Sequence, residues 1–163
     1  MGKTLIMGVG NILRMDDGFG IHVISKLREI YLPEEVRLVE AGTRSLDCLA
    51  ELDGVTRLIA VDVMISDVPP GEIFILDTKG LSEPGKRAVS CHQIGILEFL
   101  QMAELIGYRP VAFILGTRPV SLDWGTMLTP PVEKAARLAV DFLKRMCLNN
   151  FCGIEGGVLK CIQ

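Results

Sequence analysis

The chain has 163 residues, of which 49% are hydrophobic and 23% are charged, and its formal net charge at pH 7 is −3. This length is sufficient for one compact domain with a sizeable core and is too short for two. The negative charge argues against nucleic-acid binding, which needs a surplus of Lys and Arg on one face. No apolar stretch approaches the roughly 18 residues of a membrane-spanning helix, so we expect neither a nucleic acid nor a membrane as partner.

The N-terminal residues lack the basic segment and the cleavage site of a secretory signal peptide, and we therefore expect a cytoplasmic protein. Five cysteines without a CxxC pair do not form a disulfide framework in such a chain. Cys147, Cys152 and Cys161 are close together near the C-terminus, but their spacing matches no zinc or iron–sulfur pattern. We interpret them as small apolar or incidental residues.

Short apolar runs alternate with amphipathic segments along the chain. Strands are predicted at TLIMGVG (4–10), EVRLVEAGT (35–43), TRLIAVDVM (56–64), PPGEIFILD (69–77) and RPVAFILGT (109–117). Helices are predicted from about Asp17 to Tyr31, at SLDCLAELDG (45–54), at SCHQIGILEFLQMAELIG (90–107) and at TPPVEKAARLAVDFLKRM (129–146).

Several residues predict where these helices begin. Ser45 and Thr129 are residue types that favour the N-cap position, and prolines are tolerated in the first turn after Thr129. Ser90 with Gln93 three residues later resembles a capping box, which predicts a helix start at Ser90.

This alternation predicts a three-layer α/β/α sandwich with a mostly parallel, mixed central sheet of about five strands. The strand within PPGEIFILD, residues 71–77, follows its predecessor too closely for a helical crossover, so we expect it to pair antiparallel. We assign residues 1–146 to a single domain and residues 147–163 to an irregular tail.

Polar residues are expected to meet at one edge of this sheet, because ligands of open α/β sheets bind beyond the carboxyl ends of the strands. Asp16 and Asp17 follow the first strand, Glu40 ends the second and Asp62 ends the third. His92 falls in the first turn of the third predicted helix. These residues are the candidates for the functional site.

Asp62 is embedded among apolar residues of a central strand, where an uncompensated charge would cost several kcal/mol. It must therefore meet a cation or accept hydrogen bonds from nearby amides, and both interpretations stay open. One of the two adjacent aspartates is explained as an N-cap. We assign Asp16 to the cap and Asp17 to chemistry, with Gly18 and Gly20 keeping bulk away from the cleft.

His92 is a candidate metal ligand, because a helix N-terminus disfavours the protonated imidazole and leaves a lone pair available. His22 is expected to be a partly exposed helix residue. A site with two carboxylates, one imidazole and open coordination positions suits Ni²⁺, Zn²⁺ or Mn²⁺, and these ligands do not distinguish among the three ions.

The first loop also permits a Rossmann-like nucleotide-binding interpretation. GVGNIL begins like the G-x-G-x-x-G fingerprint, and Glu40 could hold a ribose. However, Leu13 replaces the third glycine, and the predicted helix starts later than the fingerprint requires. The sequence contains no GxxxxGK[ST], GxSxG or HExxH motif, which leaves phosphate-loop, serine-hydrolase and zincin chemistry without support.

The motifs GVGNILRMDDGFG, EAGT, VDV, SCHQIG and LGTRPVSLDWGTMLTPPV follow one another in the order and spacing of the [NiFe]-hydrogenase maturation endopeptidases. From about Thr4 to Met146, the chain resembles that family. The resemblance implies a cytoplasmic peptidase that removes the C-terminal extension of a hydrogenase large-subunit precursor after nickel insertion. A noncatalytic nickel-binding maturation chaperone is kept as an alternative.

The resemblance also implies roles for individual residues. It makes Asp17, Asp62 and His92 catalytic residues and ligands of a nickel ion that the substrate supplies, for which Zn²⁺ or Cd²⁺ could substitute in a crystal. It implies that Glu40, Gly42 and Thr43 contribute to substrate binding, although Ala41 replaces a glycine that is usual in the family. The expected partner is the nickel-loaded precursor. Because the sequence shows no long exposed apolar stripe, we expect a monomer. Whether the metal activates water or serves only in recognition is left open.

Overall fold

A computed structural model describes residues 2–78, 89–90, 95–149 and 160–162. The strands in this part are β1 (Lys3–Val9), β2 (Val36–Gly42), β3 (Val55–Ile65), β4 (Ile73–Asp77), β5 (Val89–Ser90), β6 (Val111–Thr117) and β7 (Lys160–Ile162). The helices are α1 (Phe19–Leu27), α2 (Ile96–Leu105) and α3 (Pro130–Leu148), with 3₁₀ helices at Met15–Gly18 and Ser45–Leu52.

The sheet is mixed and mostly parallel, with the strand order β2-β1-β3-β6-β4-β7 and with β5 paired to β3 outside this path. Strands β2, β1, β3 and β6 pair in parallel with one another, whereas β4 is antiparallel to β6. The predicted sheet and its antiparallel strand are therefore confirmed. Strand β4 pairs with β6 and not with its predecessor in the chain, and β3 occupies the centre, as its apolar sequence suggests.

Two buried clusters lie on opposite faces of this sheet. On one face α1 and α3 pack against Ile59, Val61 and Val63 of β3. On the other face α2 and the second 3₁₀ helix pack against Leu58 and Ala60 of the same strand. Because successive side chains of a strand point to opposite faces, one apolar strand supplies both clusters. This arrangement is the predicted three-layer α/β/α sandwich.

Glycines bring the start of α1 directly onto the sheet. A Cβ atom on Gly20 would lie 2.4 Å from the carbonyl oxygen of Val9 and 2.3 Å from that of Val61. Gly10 has φ +136°, and a Cβ atom there would lie 1.8 Å from the carbonyl oxygen of Asp17. Only glycine permits these approaches, which hold the segment containing Asp17 against the carboxyl ends of β1 and β3.

The predicted extent of the first helix is wrong at its C-terminal end. Helix α1 ends at Leu27, and Tyr31 lies outside it with 78% of its surface exposed. The chain turns toward β2 here, with the Val36 N–H donating to the Pro33 carbonyl at 2.9 Å. A stripe of apolar residues can thus continue in sequence after the helix itself has ended.

The predicted start of the third helix is also wrong. Ser90 is not a helix cap, because its backbone pairs with Met64 of β3 in an antiparallel ladder. Helix α2 begins at Ile96, with Gly95 as its N-cap. A pair of Ser and Gln at the right spacing therefore does not form a capping box when the serine belongs to a strand. Ser45 likewise begins its 3₁₀ helix without capping it, since Arg44 precedes it as N-cap.

The C-terminal residues are more regular than predicted where the structure describes them. Helix α3 continues to Leu148, and residues 160–162 form β7, which pairs antiparallel with β4. These pairs correct the prediction of an irregular tail at residues 160–162, whereas residues 150–159 and 163 lie outside the described part. Among the described helices, none combines the length and the apolar composition needed to cross a membrane.

The two cysteines with described side chains are free thiols that suit a packing role. Cys147 lies in the cluster formed by α1 and α3, and its burial raises the pKa of the thiol to about 11. Partial burial, with Glu51 and Asp47 nearby, raises the pKa of Cys48. Both thiols therefore stay protonated at neutral pH, whereas a metal ligand or nucleophile must be a thiolate.

Candidate functional site

Asp17 lies at the carboxyl end of β1, in the 3₁₀ helix Met15–Gly18 that leads into α1. Its side chain is buried, and Oδ2 accepts a hydrogen bond of 3.0 Å from the backbone N–H of Asn11. The Asp17 carbonyl also packs against Gly10, so both the backbone and the side chain are fixed relative to the end of β1.

Asp62 lies inside β3, three residues before the strand ends at Ile65, rather than at the strand end as predicted. Only 3% of its surface is exposed, and Oδ1 accepts a hydrogen bond of 2.8 Å from the backbone N–H of Val63. In β6 its partner is Gly116, which adds no side chain of its own beside the carboxylate.

The strand register brings the two aspartates to the same edge of the sheet. Gly8 of β1 pairs with Val61 of β3, so the end of β1 lies alongside Asp62. Asp17 in turn is held on the residues that follow β1, through Gly10 and Asn11. The structure thus places two buried carboxylates, from segments far apart in sequence, at the predicted edge of the sheet.

His92, the third predicted ligand, lies outside the described residues. Two residues before it, Ser90 pairs with Met64, which is two residues beyond Asp62. Strand β5 is antiparallel to β3, so its chain direction at Ser90 points back toward Asp62. Helix α2 begins at Ile96, and the predicted place of His92 in a helical first turn lies outside the described residues. Within the part of the chain that is described, no three His, Cys, Asp or Glu side chains form a metal-binding group.

The prediction that Asp16 caps its own helix is wrong. Its carboxylate instead holds the segment that follows β6. Its fully buried carboxylate accepts four hydrogen bonds of 2.7–3.0 Å, all from the segment that follows β6. The donors are the backbone N–H groups of Val120, Ser121 and Thr129 and the hydroxyl of Thr129. Thr129 is the N-cap of α3, as predicted, but its side chain bonds to Asp16 instead of the helix backbone.

Further contacts join the first loop to the segment that follows β6. The backbone N–H of Gly125 donates to the Leu13 carbonyl at 3.0 Å, and that of Met15 donates to the Gly125 carbonyl at 2.8 Å. Arg14 Nε donates to the Leu122 carbonyl at 2.7 Å. Met15 adopts φ +42°, a strained value for a side-chain-bearing residue. The two loops therefore form one cross-linked unit that includes Asp16 and lies next to Asp17.

Apart from Asp16 and Thr129, which the sequence predicts as helix caps, the residues that join these two loops have no role that the sequence predicts. Their contacts span about a hundred residues, so no local periodicity reports them. The available signal is the length of the connection from β6 to α3, twelve residues without regular structure, since loops of this length are often functional.

The predicted substrate-side residues lie beside this unit at the end of β2. Glu40 is exposed and forms an ion pair with Arg28 of the segment after α1. The Gly42 carbonyl accepts a hydrogen bond of 2.9 Å from the Gly10 N–H, and Thr43 is exposed. Ala41 is buried in the cluster below α2, so the methyl group that replaces the usual glycine hydrogen is accommodated in the core. His22 is partly buried in α1, with Nε2 at 3.2 Å from the Thr126 carbonyl, as expected for a helix residue.

Comparisons with known proteins agree on one family. Residues 21–145 match the family model HycI, described as hydrogenase maturation protease. The hydrogenase expression/formation protein HupD of Bradyrhizobium diazoefficiens is 33% identical over 143 residues, which cover 85% of this chain and 74% of HupD. The hydrogenase 2 maturation protease of Escherichia coli is 30% identical over 142 residues, covering 85% of this chain and 87% of that protein.

Solved structures lead to the same result. The hydrogenase maturating endopeptidase HybD from E. coli superposes with a TM-score of 0.78 at 26% identity, covering 98% of this chain and 96% of HybD. The family match includes Asp62 and the sequence position of His92 and begins four residues after Asp17. From the match of the family model and the identity to the curated relatives, we conclude that this chain belongs to the hydrogenase maturation protease family.

Proposed function

We propose that this protein is an endopeptidase that removes the C-terminal extension of a [NiFe]-hydrogenase large-subunit precursor after nickel has been inserted. The observation that carries the proposal is the pair of buried carboxylates, Asp17 and Asp62, at one sheet edge of a member of this family. The proposed roles of Asp17, Asp62 and His92 are to coordinate the nickel of the substrate and thereby place the scissile peptide bond in the cleft.

The chemistry of these side chains suits that ion. Carboxylate oxygens and an imidazole nitrogen are good ligands for Ni²⁺, and three protein ligands leave coordination positions for groups of the precursor. Burial increases the attraction between a carboxylate and a divalent cation, because little water screens the charges. The hydrogen bond from the Asn11 N–H also fixes the Asp17 side chain, which reduces the conformational entropy lost when the ion is bound.

Recognition of nickel would ensure that cleavage follows nickel insertion. A precursor without nickel lacks the ion that these side chains bind, so its scissile bond is not held at the site. The protein therefore distinguishes a completed metal centre from an unfinished one before an irreversible cleavage. In this proposal the ion belongs to the substrate, and the contribution of the protein is to bind and orient it.

The nucleotide-binding alternative is less compatible with the site. In the dinucleotide fingerprint a phosphate binds at the N-terminus of the helix that follows the glycine-rich turn. Here two buried carboxylates, Asp16 and Asp17, immediately precede α1 and would repel a phosphate. Glu40, the residue proposed to hold a ribose, is already paired with Arg28.

Incubation of the purified protein with nickel-loaded and nickel-free precursor tests the proposal. We expect intact-mass measurement to show loss of a C-terminal peptide from the nickel-loaded precursor and an unchanged mass for the nickel-free one. Equal cleavage of both would contradict nickel recognition. Binding of the nickel-loaded precursor without any change of mass would instead identify a noncatalytic chaperone.

A further inference from the structure

Large apolar side chains are exposed on the two cross-linked loops next to the aspartate pair. We call this set the Trp124 surface, and it consists of Ile12, Leu13, Val120, Trp124 and Met127. Trp124 and Met127 are 76% and 74% exposed, and the other three side chains are 44–54% exposed. A group of exposed apolar side chains on one rigid unit is typical of protein interaction sites.

The backbone under the Trp124 surface is held by contacts that do not involve the exposed side chains. The hydrogen bond from Gly125 to Leu13 joins the two loops, and the Asp16 carboxylate binds the amides of Val120 and Ser121. The apolar side chains are therefore presented on a preorganised scaffold. Preorganisation reduces the entropic cost of binding a partner.

Arg14 places a positive charge within this surface. Its Nε atom is bonded to the Leu122 carbonyl, and its guanidinium carbon lies 5.2 Å from the centre of the Trp124 ring. Among the charged side chains of residues 11–17 and 118–127, Asp16 and Asp17 are buried, whereas Arg14, Arg118 and Asp123 are partly or fully exposed. The Asp123 carboxylate accepts a hydrogen bond from the Ser121 hydroxyl at 2.9 Å. Tryptophan and arginine together are the residue types that dominate binding energy in protein interfaces.

We propose that the Trp124 surface docks the folded body of the hydrogenase large-subunit precursor, through an apolar patch that carries acidic groups. This inference rests on the proposed function. The surface lies next to the candidate site, because Leu13 is four residues before Asp17 in the chain and the Asn11 N–H, beside Ile12, is bonded to the Asp17 carboxylate. Its positive charge complements an acidic patch and not a basic one. Docking at this surface would recognise the body of the precursor, whereas the aspartate pair recognises its metal.

Binding of the nickel-loaded precursor to an Asp62→Asn protein, which is expected to be inactive, tests this proposal without interference from cleavage. Adding Trp124→Ala or Met127→Ser should raise the dissociation constant at least about tenfold. The matched control is Tyr31→Ala, because Tyr31 is an equally exposed aromatic residue that lies between α1 and β2, toward the opposite edge of the sheet. Each variant is checked by circular dichroism and thermal unfolding.

Unchanged affinity in both Trp124→Ala and Met127→Ser would overturn the proposal, as would an equal loss in Tyr31→Ala. Sedimentation of the protein alone tests the other possible occupant. A dimer that dissociates in Trp124→Ala would assign the surface to a second copy of this chain and contradict docking of the precursor. The two failures are distinguishable, because the proposed function fails if the wild-type protein leaves the precursor mass unchanged, whereas the docking proposal fails on the binding results.

Discussion

The Asp62→Asn variant should process the nickel-loaded precursor at least about 100-fold more slowly than the wild-type protein. Asparagine has nearly the same shape as aspartate and keeps a carbonyl oxygen that can accept the hydrogen bond from the Val63 N–H. It removes the negative charge that would bind the nickel of the substrate. The fold should therefore be retained while the ligand is lost.

Initial rates from intact-mass measurements, together with urea unfolding, check this prediction. Asp53→Asn is the matched control, because Asp53 is an exposed carboxylate in the turn before β3. It should process the precursor at the wild-type rate. An Asp62→Asn protein that is folded and retains most of the wild-type rate would exclude a role for this carboxylate as a ligand.

The Asp16→Ala variant should lose about 3–5 kcal/mol of stability. Alanine leaves three backbone N–H groups and the Thr129 hydroxyl without the acceptor that they share in the wild-type protein. Buried donors without an acceptor carry the full cost of desolvation. Because domains of this size are stable by only about 5–15 kcal/mol, the variant should unfold roughly 10 °C below the wild-type protein.

Calorimetry or urea unfolding measures this effect. Asp123→Ala is the control, since Asp123 is exposed in the same loop and its carboxylate accepts a hydrogen bond from the Ser121 hydroxyl. Its loss should stay below about 1 kcal/mol. Asp16→Asn should fall between the two, because it keeps one acceptor oxygen and adds an N–H donor among other donors. A loss of less than about 1 kcal/mol in Asp16→Ala would show that the two loops are held together by other contacts.

Much of the fold follows from local patterns in the sequence. Apolar runs of strand length predict β1, β3 and β6, and the 3.6-residue periodicity with Thr129 and prolines predicts α3. The rule that ligands bind beyond the carboxyl ends of parallel strands selects the edge where Asp17 and Asp62 lie. These features are predictable because each depends on neighbouring residues or on a general property of α/β sheets.

The errors arise where a tertiary contact overrides a local preference. Serine is a residue type that favours helix N-caps, but the backbone of Ser90 pairs with Met64 of β3. Aspartate favours N-caps, so Asp16 is predicted to cap α1. Its carboxylate instead accepts hydrogen bonds from amides of a loop more than a hundred residues away. Which of two adjacent aspartates is structural could be guessed from the sequence, whereas its binding partners could not.

Isothermal titration of the purified protein with Ni²⁺ alone tests the central claim most directly, namely that Asp17, Asp62 and His92 form one metal-binding site. The account predicts a single site in the wild-type and Asp53→Asn proteins. It also predicts at least about tenfold weaker binding in each of Asp17→Asn, Asp62→Asn and His92→Ala. Wild-type affinity in all three folded variants would contradict the account.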